Sequence, residues 1–179
     1  MTKQTVIAYW LIPSEPAHGF FQRMINDLAR RCDAPVFEPH VTIHVGVDRA
    51  DAAKNALGAA ARECKLIGLK PLGIDQSNEF IKTLFVQFDM NAELSKTNGI
   101  IREAANDSSQ YDLKPHLSLL YKNFAVATRR ELTASIDIPL SEVTFDVIKV
   151  VRCVSPAKSR ADVEAWRVVA AASLSGDRI

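Results

Sequence analysis

The chain has 179 residues, enough for one domain with its own core or for two closely packed lobes. Its 47% hydrophobic and 24% charged content excludes a disordered or fibrous chain. A net charge of +1, from 22 basic and 21 acidic residues, argues against general binding of duplex DNA or an anionic membrane.

In chain order, Thr5–Ile12 predicts a first strand. Tyr9 and Trp10 interrupt its apolar run and Pro13 follows without a small-residue cleavage site, so the segment does not read as a signal peptide. No apolar run approaches the roughly 20 residues of a membrane span. A helix is expected over His18–Cys32, where Phe21, Ile25 and Leu28 fall at i, i+4 and i+7. A strand follows at His40–Ile43, then a helix over Arg49–Cys64 with Asp48 as N-cap, and a strand over Leu66–Ile74. The second half predicts a strand at Thr83–Phe88, a helix at Ala92–Ala105 capped by Asn91, and a strand at His116–Leu119. A helix at Thr128–Ile136 and strands at Val143–Cys153 and Ala165–Ala172 complete the chain.

Two halves of this order match. From Val6 to His40 is 34 positions and from Leu84 to His116 is 32, with a strand, a helix and a proline-containing loop between in both cases. The pattern predicts an α+β, bilobal fold: two pseudo-symmetric β-α-β-α-β lobes, each with an antiparallel sheet, and an active-site cleft between them. The whole chain, 1–179, reads as a single catalytic domain with interleaved lobes and repeat halves at 5–75 and 80–175. No Gly/Ser linker separates them, so a shared interface is expected.

The chemistry sits at the matching points. Pro39-His40-Val41-Thr42 and Pro115-His116-Leu117-Ser118 share one form: proline, histidine, apolar residue, hydroxyl. Period-two alternation puts His40 with Thr42, and His116 with Ser118, on one face of each strand. Two such faces confronting each other would gather two imidazoles and two hydroxyls. One imidazole can act as general base while the other, protonated, acts as general acid. The hydroxyls suit the non-bridging oxygens of a phosphate. A single His-x-Thr would be an ordinary structural histidine; two copies in register in a repeat point to phosphodiester chemistry.

The chain resembles the two-histidine (2H) phosphoesterase superfamily, and within it the cyclic phosphodiesterase group known from plants and yeast. The similarity includes Trp10-Leu11-Ile12-Pro13, Pro35 to His40, Pro115 to Tyr121 and Val163-Glu164-Ala165-Trp166, and so spans nearly the whole chain. The resemblance implies hydrolysis of ADP-ribose 1″,2″-cyclic phosphate and nucleoside 2′,3′-cyclic phosphates, with no metal and no cofactor. It carries catalytic roles to His40 and His116 and phosphate binding to Thr42, Ser118 and Tyr121. It also implies His40 as the acid and His116 as the base. The disulfides of the plant enzymes do not transfer: Cys32, Cys64 and Cys153 are widely spaced and read as free thiols in a reducing cytoplasm.

Other positions keep two readings. Strict alternation places His44 beside His40 and Thr42, yet Gly46 suggests a strand-end histidine outside the reaction centre. Tyr121, five residues after His116, falls on the opposite face unless a bulge or the strand's end intervenes. Trp10 either lines the cleft, where it would contact a base or ribose, or belongs to the core. His18 reads as solvated, Phe80 and Lys82 as a solvated hairpin with a rim contact as alternative, and Lys158–Arg160 as a solvated turn. The expected partner is a small cyclic nucleotide, handled by a cytoplasmic monomer. The competing functions are an RNA-end enzyme of the 2′-5′ ligase or RNA 2′,3′-cyclic phosphodiesterase type, and a non-catalytic nucleotide-binding module. The near-balanced charge disfavours the first and the complete motif set the second.

Overall fold

The computed structural model describes residues 2–175. Eight strands and five helices follow in order: β1 (Gln4–Pro13), α1 (Ala17–Cys32), β2 (Val41–Val47), α2 (Ala50–Glu63), β3 (Ile67–Leu69), β4 (Pro71–Gln76), β5 (Leu84–Phe88), α3 (Ala92–Ala104), β6 (His116–Leu120), α4 (Val126–Ala134), β7 (Val143–Ser155), α5 (Arg160–Glu164) and β8 (Arg167–Ser173). A 3₁₀ turn, Phe80–Lys82, sits between β4 and β5. The strand order is β3-β7-β1-β2-β6-β5-β4, antiparallel throughout, with β8 alongside β7. This is the α+β, antiparallel architecture the alternating pattern predicts.

The sheet's two halves meet at a single residue pair, Val41 opposite Leu117, where β2 touches β6. On one side lie β1, β2, β3, β7 and β8; on the other, β4, β5 and β6. Sequence repeats and sheet halves therefore interleave. β4, late in the first repeat, pairs with β5, while β7 and β8 return to β1. The expected single strand Leu66–Ile74 divides for the same reason. Pro71 has no N–H to continue the ladder, so the chain pairs with β7 before it and with β5 after it.

β1 is buried on both faces. Ile7, Tyr9 and Leu11 join the main core with Phe21 and Leu28 of α1, Ala56 and Leu57 of α2, and Leu94 and Ile101 of α3. Val6, Ala8, Trp10 and Ile12 face the other way, with Val151 and Cys153 of β7. That second face forms the floor of the cleft. Asn91 caps α3 as expected, its side chain accepting from the Leu94 N–H. Asp48 does not cap α2: Arg49 holds the N-cap position, and Asp48 instead pairs with Arg152 across 2.9 Å. The turn expected at Lys158–Arg160 opens α5, capped by the Ser159 hydroxyl, and Arg160 pairs with Asp33.

Candidate active site

A cavity of about 470 Å³ lies where the two halves of the sheet meet. Its lining includes His40, Thr42, His116, Ser118, Tyr121 and Trp10, so the residues assigned a catalytic or binding role from the sequence come to one place. Val6, Ala8, Val45 and Cys153 give it an apolar floor, and segments 78–81 and 155–158 form two of its walls.

The two histidines are held in the same way. The ring Nδ1 of His40 lies 2.6 Å from the Glu38 carbonyl, and that of His116 lies 2.8 Å from the Lys114 carbonyl, in each case two residues back. A carbonyl only accepts, so each Nδ1 carries the hydrogen and each Nε2 of the neutral ring is left as the basic nitrogen. Burial pushes His40 down to about 4, with the charge of His116 adding to the effect; its Glu38 contacts act in the opposite direction. His116 is also held below the ordinary imidazole value, first by burial and further by the nearby Lys82 charge. Both shifts favour the neutral ring at pH 7.

The hydroxyl positions follow from the strands. Thr42 and Ser118 alternate with the core residues Val41, Ile43, Leu117 and Leu119. The Ser118 hydroxyl donates to the Ile81 carbonyl at 2.9 Å, tying the second motif to the cavity wall.

Both motif strands then break alternation at the same point. Trp10 faces Thr42 and Tyr9 faces His44, which leaves Ile43 as a bulge in β2. Phe85 faces Ser118 and Leu84 faces Leu120, which leaves Leu119 as a bulge in β6. A bulge inserts one residue and reverses which side the following residues face. His44 accordingly turns away from the cavity and is fully buried beside Tyr9 and Tyr111. This corrects the regular alternation that would set it beside Thr42; His44 stands outside the cavity as the other reading has it, though within the strand and not at its end, since β2 runs on to Val47. Tyr121, at the matching offset to Val45, turns towards the cavity, next to the Ser118 hydroxyl and stacked on Phe37 at 3.6 Å.

Trp10 answers to both of its sequence readings. It lines the cavity and is buried, with the His40 ring stacked on one face at 3.7 Å and the Trp166 ring edge-on at 5.5 Å. His18 is not simply solvated: it lies 3.4 Å from Glu38, which also takes Lys149 at 2.7 Å. Phe80 lines the cavity, and the Lys82 ammonium sits 4.5 Å over the Phe85 ring beside His116, a rim in place of a free hairpin. Sequence reasoning missed Asn78, Ile81, Asn123 and, as a lining residue, Trp166. They reach the cavity on loops, on the 3₁₀ turn or just past a short helix, where no periodic signal exists. The cysteines are free, and burial pushes the Cys153 thiol up to about 12. Among the described residues no group of three or more His, Cys, Asp or Glu side chains is arranged to hold a metal ion. None of the described helices is long and apolar enough to cross a membrane.

The comparisons with known proteins agree with this arrangement. The curated cyclic phosphodiesterase of Arabidopsis thaliana is 24% identical over 177 residues, 97% of each chain. The fold is that of E. coli LigT, solved in complex with 3′-AMP: TM-score 0.58, 14% identity, covering 97% of this chain and 99% of LigT. A structure described as a phosphoesterase matches with TM-score 0.59 and 13% identity over 96% of this chain and 99% of the other. The model of the cyclic phosphodiesterase-like protein family matches residues 5–174. With that match across nearly its full length, and paired histidine motifs facing one cavity, the chain belongs to the cyclic phosphodiesterase-like protein family of the two-histidine phosphoesterases.

Proposed function

We propose that the protein hydrolyses cyclic phosphates of nucleotides, ADP-ribose 1″,2″-cyclic phosphate and nucleoside 2′,3′-cyclic phosphates, by paired-histidine acid and base catalysis that needs no metal ion. The observation that carries this reading is the matched pair: two imidazoles in one cavity, each with its tautomer fixed by a carbonyl two residues back, each beside a hydroxyl.

The steps follow from these groups. Thr42 and Ser118 hold the non-bridging oxygens, the Ser118 hydroxyl turning its one hydrogen from the Ile81 carbonyl to phosphate, with Tyr121 behind Ser118. Neutral His116 accepts a proton from water as the water oxygen bonds to phosphorus. The bond from phosphorus to one ribose oxygen breaks, and protonated His40 donates its Nε2 proton to that oxygen, leaving a phosphate monoester. The division itself follows the family resemblance; burial opposes charge on both rings, and the Lys114 carbonyl and Glu79 favour a charged His116 as the Glu38 contacts do a charged His40. Lys82 disfavours a charged His116, and the Trp10 face stabilises a charged His40. The substrate's negative charge offsets the burial that disfavours a protonated His40.

Small nucleotides suit the cavity better than a long RNA. Lys158 is the one lysine or arginine among the described lining residues, and Glu79 lies on the same wall as Asn78, so no cationic track leads away from the centre. The reading takes one catalytic domain to which each half contributes a motif. It also takes a monomer in a reducing compartment such as the cytoplasm, for which the free thiols and balanced charge are the support. A panel of cyclic phosphates assayed with EDTA present, with product identification, tests the proposal. Turnover to monoesters is expected; complete inactivation restored by a divalent cation would overturn the metal-free step.

A further inference from the structure

After the Ile43 bulge, β2 runs beside the second half of the molecule with no strand partner on that edge, its ladder with β6 ending at Val41. Unpaired main-chain carbonyls there need donors. The Ile43 carbonyl takes the Asn98 amide of α3 at 2.6 Å, and the Thr42 carbonyl takes the Tyr111 hydroxyl at 3.2 Å. Tyr111 lies on the loop between α3 and β6, five residues before His116. That loop is pinned further to β2 and to the short link that follows it. His44 Nε2 lies 3.2 Å from an Asp107 carboxylate oxygen, with neither side chain more than 5% exposed, and the same carboxylate accepts the Ser109 N–H. Arg49 donates to the Ala105 and Asn106 carbonyls. Gly46 lets Asp107 approach, since a Cβ there would stand 1.5 Å from its oxygen. The Tyr111 ring meets the edge of the His44 ring at 6.1 Å.

We infer that Tyr111 is a positioning residue for the reaction: its hydroxyl, gripping the Thr42 carbonyl on a loop anchored by the His44–Asp107 pair, fixes how the Thr42 hydroxyl is presented to phosphate. The inference rests on the phosphate-binding role proposed above for Thr42. It gives buried His44, which the bulge removed from the cavity, a use: holding the strand of one motif to the loop that leads into the other. The second motif is tied differently: the Ser118 hydroxyl itself donates to the Ile81 carbonyl, a bond it exchanges for phosphate.

A mutant cycle tests this. Tyr111→Phe keeps the ring and removes the donor, and should lower kcat/KM for a nucleoside 2′,3′-cyclic phosphate by about fivefold. In a Thr42→Ala background the same change should cost less than about twofold, while in a Ser118→Ala background the full loss should persist. Both limbs of the pH profile should stay in place, since neither catalytic ring is disturbed. The cycle is repeated on the dissociation constant of adenosine 2′-monophosphate. Coupling in that constant without turnover by the wild type would sink the cyclic-phosphate reading and leave the positioning role standing. Wild-type behaviour of Tyr111→Phe in both measurements, or an equal loss in all backgrounds, would overturn the inference. Asp107→Asn, which loosens the loop while retaining Tyr111, should show the same selective coupling to Thr42.

Discussion

On β2 the histidine is sealed in: His40 lies flat against Trp10, edge-on to Phe37, with its Nδ1 on the Glu38 carbonyl. On β6 the same four-residue pattern leaves His116 closer to solvent, with Phe85 at its edge and Lys82 nearby. The hydroxyls differ in the same sense. Thr42 is held through its main chain by Tyr111, Ser118 through its own side chain by Ile81. A repeated motif therefore supplies matched atoms in unmatched fields, and the proposed acid and base need fields that differ. Two identical environments would give two identical proton affinities, whereas one acid and one base require them to differ.

The largest expected effect breaks the pair. His40→Ala or His116→Ala should each lower kcat by about 10²–10⁴-fold, with the double variant little worse than the worse single. A p-nitrophenyl phosphodiester, whose leaving group needs no proton, should partly rescue His40→Ala alone. Rescue of His116→Ala in its place would reverse the roles, and near-wild-type turnover in either variant would remove the paired mechanism.

Losing one hydroxyl comes next. Thr42→Ala and Ser118→Ala should each reduce kcat/KM by about tenfold to a hundredfold, the worth of a hydrogen bond to a charged group. Thermal melts sharpen the comparison. Ser118→Ala frees the Ile81 carbonyl and should also lower Tm, whereas Thr42→Ala leaves its anchoring carbonyl intact and should not. Equal shifts in Tm would show that the two motifs are anchored alike. A smaller loss, about two- to tenfold in kcat/KM, is expected for Tyr121→Phe, whose hydroxyl neighbours Ser118 and not the catalytic rings. Wild-type kinetics in that variant would confine Tyr121 to its stack on Phe37.

The subtlest effect is on pH. The proposed mechanism needs His116 neutral and His40 protonated, so activity should fall at low pH as His116 gains a proton and at high pH as His40 loses one. With His40 at about 4 in the free protein and His116 also depressed, kcat/KM should peak on the acid side of 6.5. Bound phosphate favours both charged forms, so the kcat profile should lie at higher pH than that of kcat/KM. Coincident profiles would argue that substrate charge does not tune the pair.

The sequence by itself determined the repeat, the four motif residues and most elements to within a residue or two. All of these are local: apolar spacing sets helix and strand, and His-x-Thr/Ser needs only two-residue periodicity. Where reading failed, the deciding contact was distant in the chain. Asp48 satisfies the local rule for a cap but finds Arg152 across the sheet. His44 and Tyr121 follow from alternation only while the strands stay regular, and the bulges at Ile43 and Leu119 reverse both. A bulge records a mismatch between neighbouring strands, so one strand's residues cannot announce it. The tertiary structure alone therefore decided which side chains entered the cleft after each hydroxyl, which loops walled it, and why two copies of one motif stand in unlike surroundings.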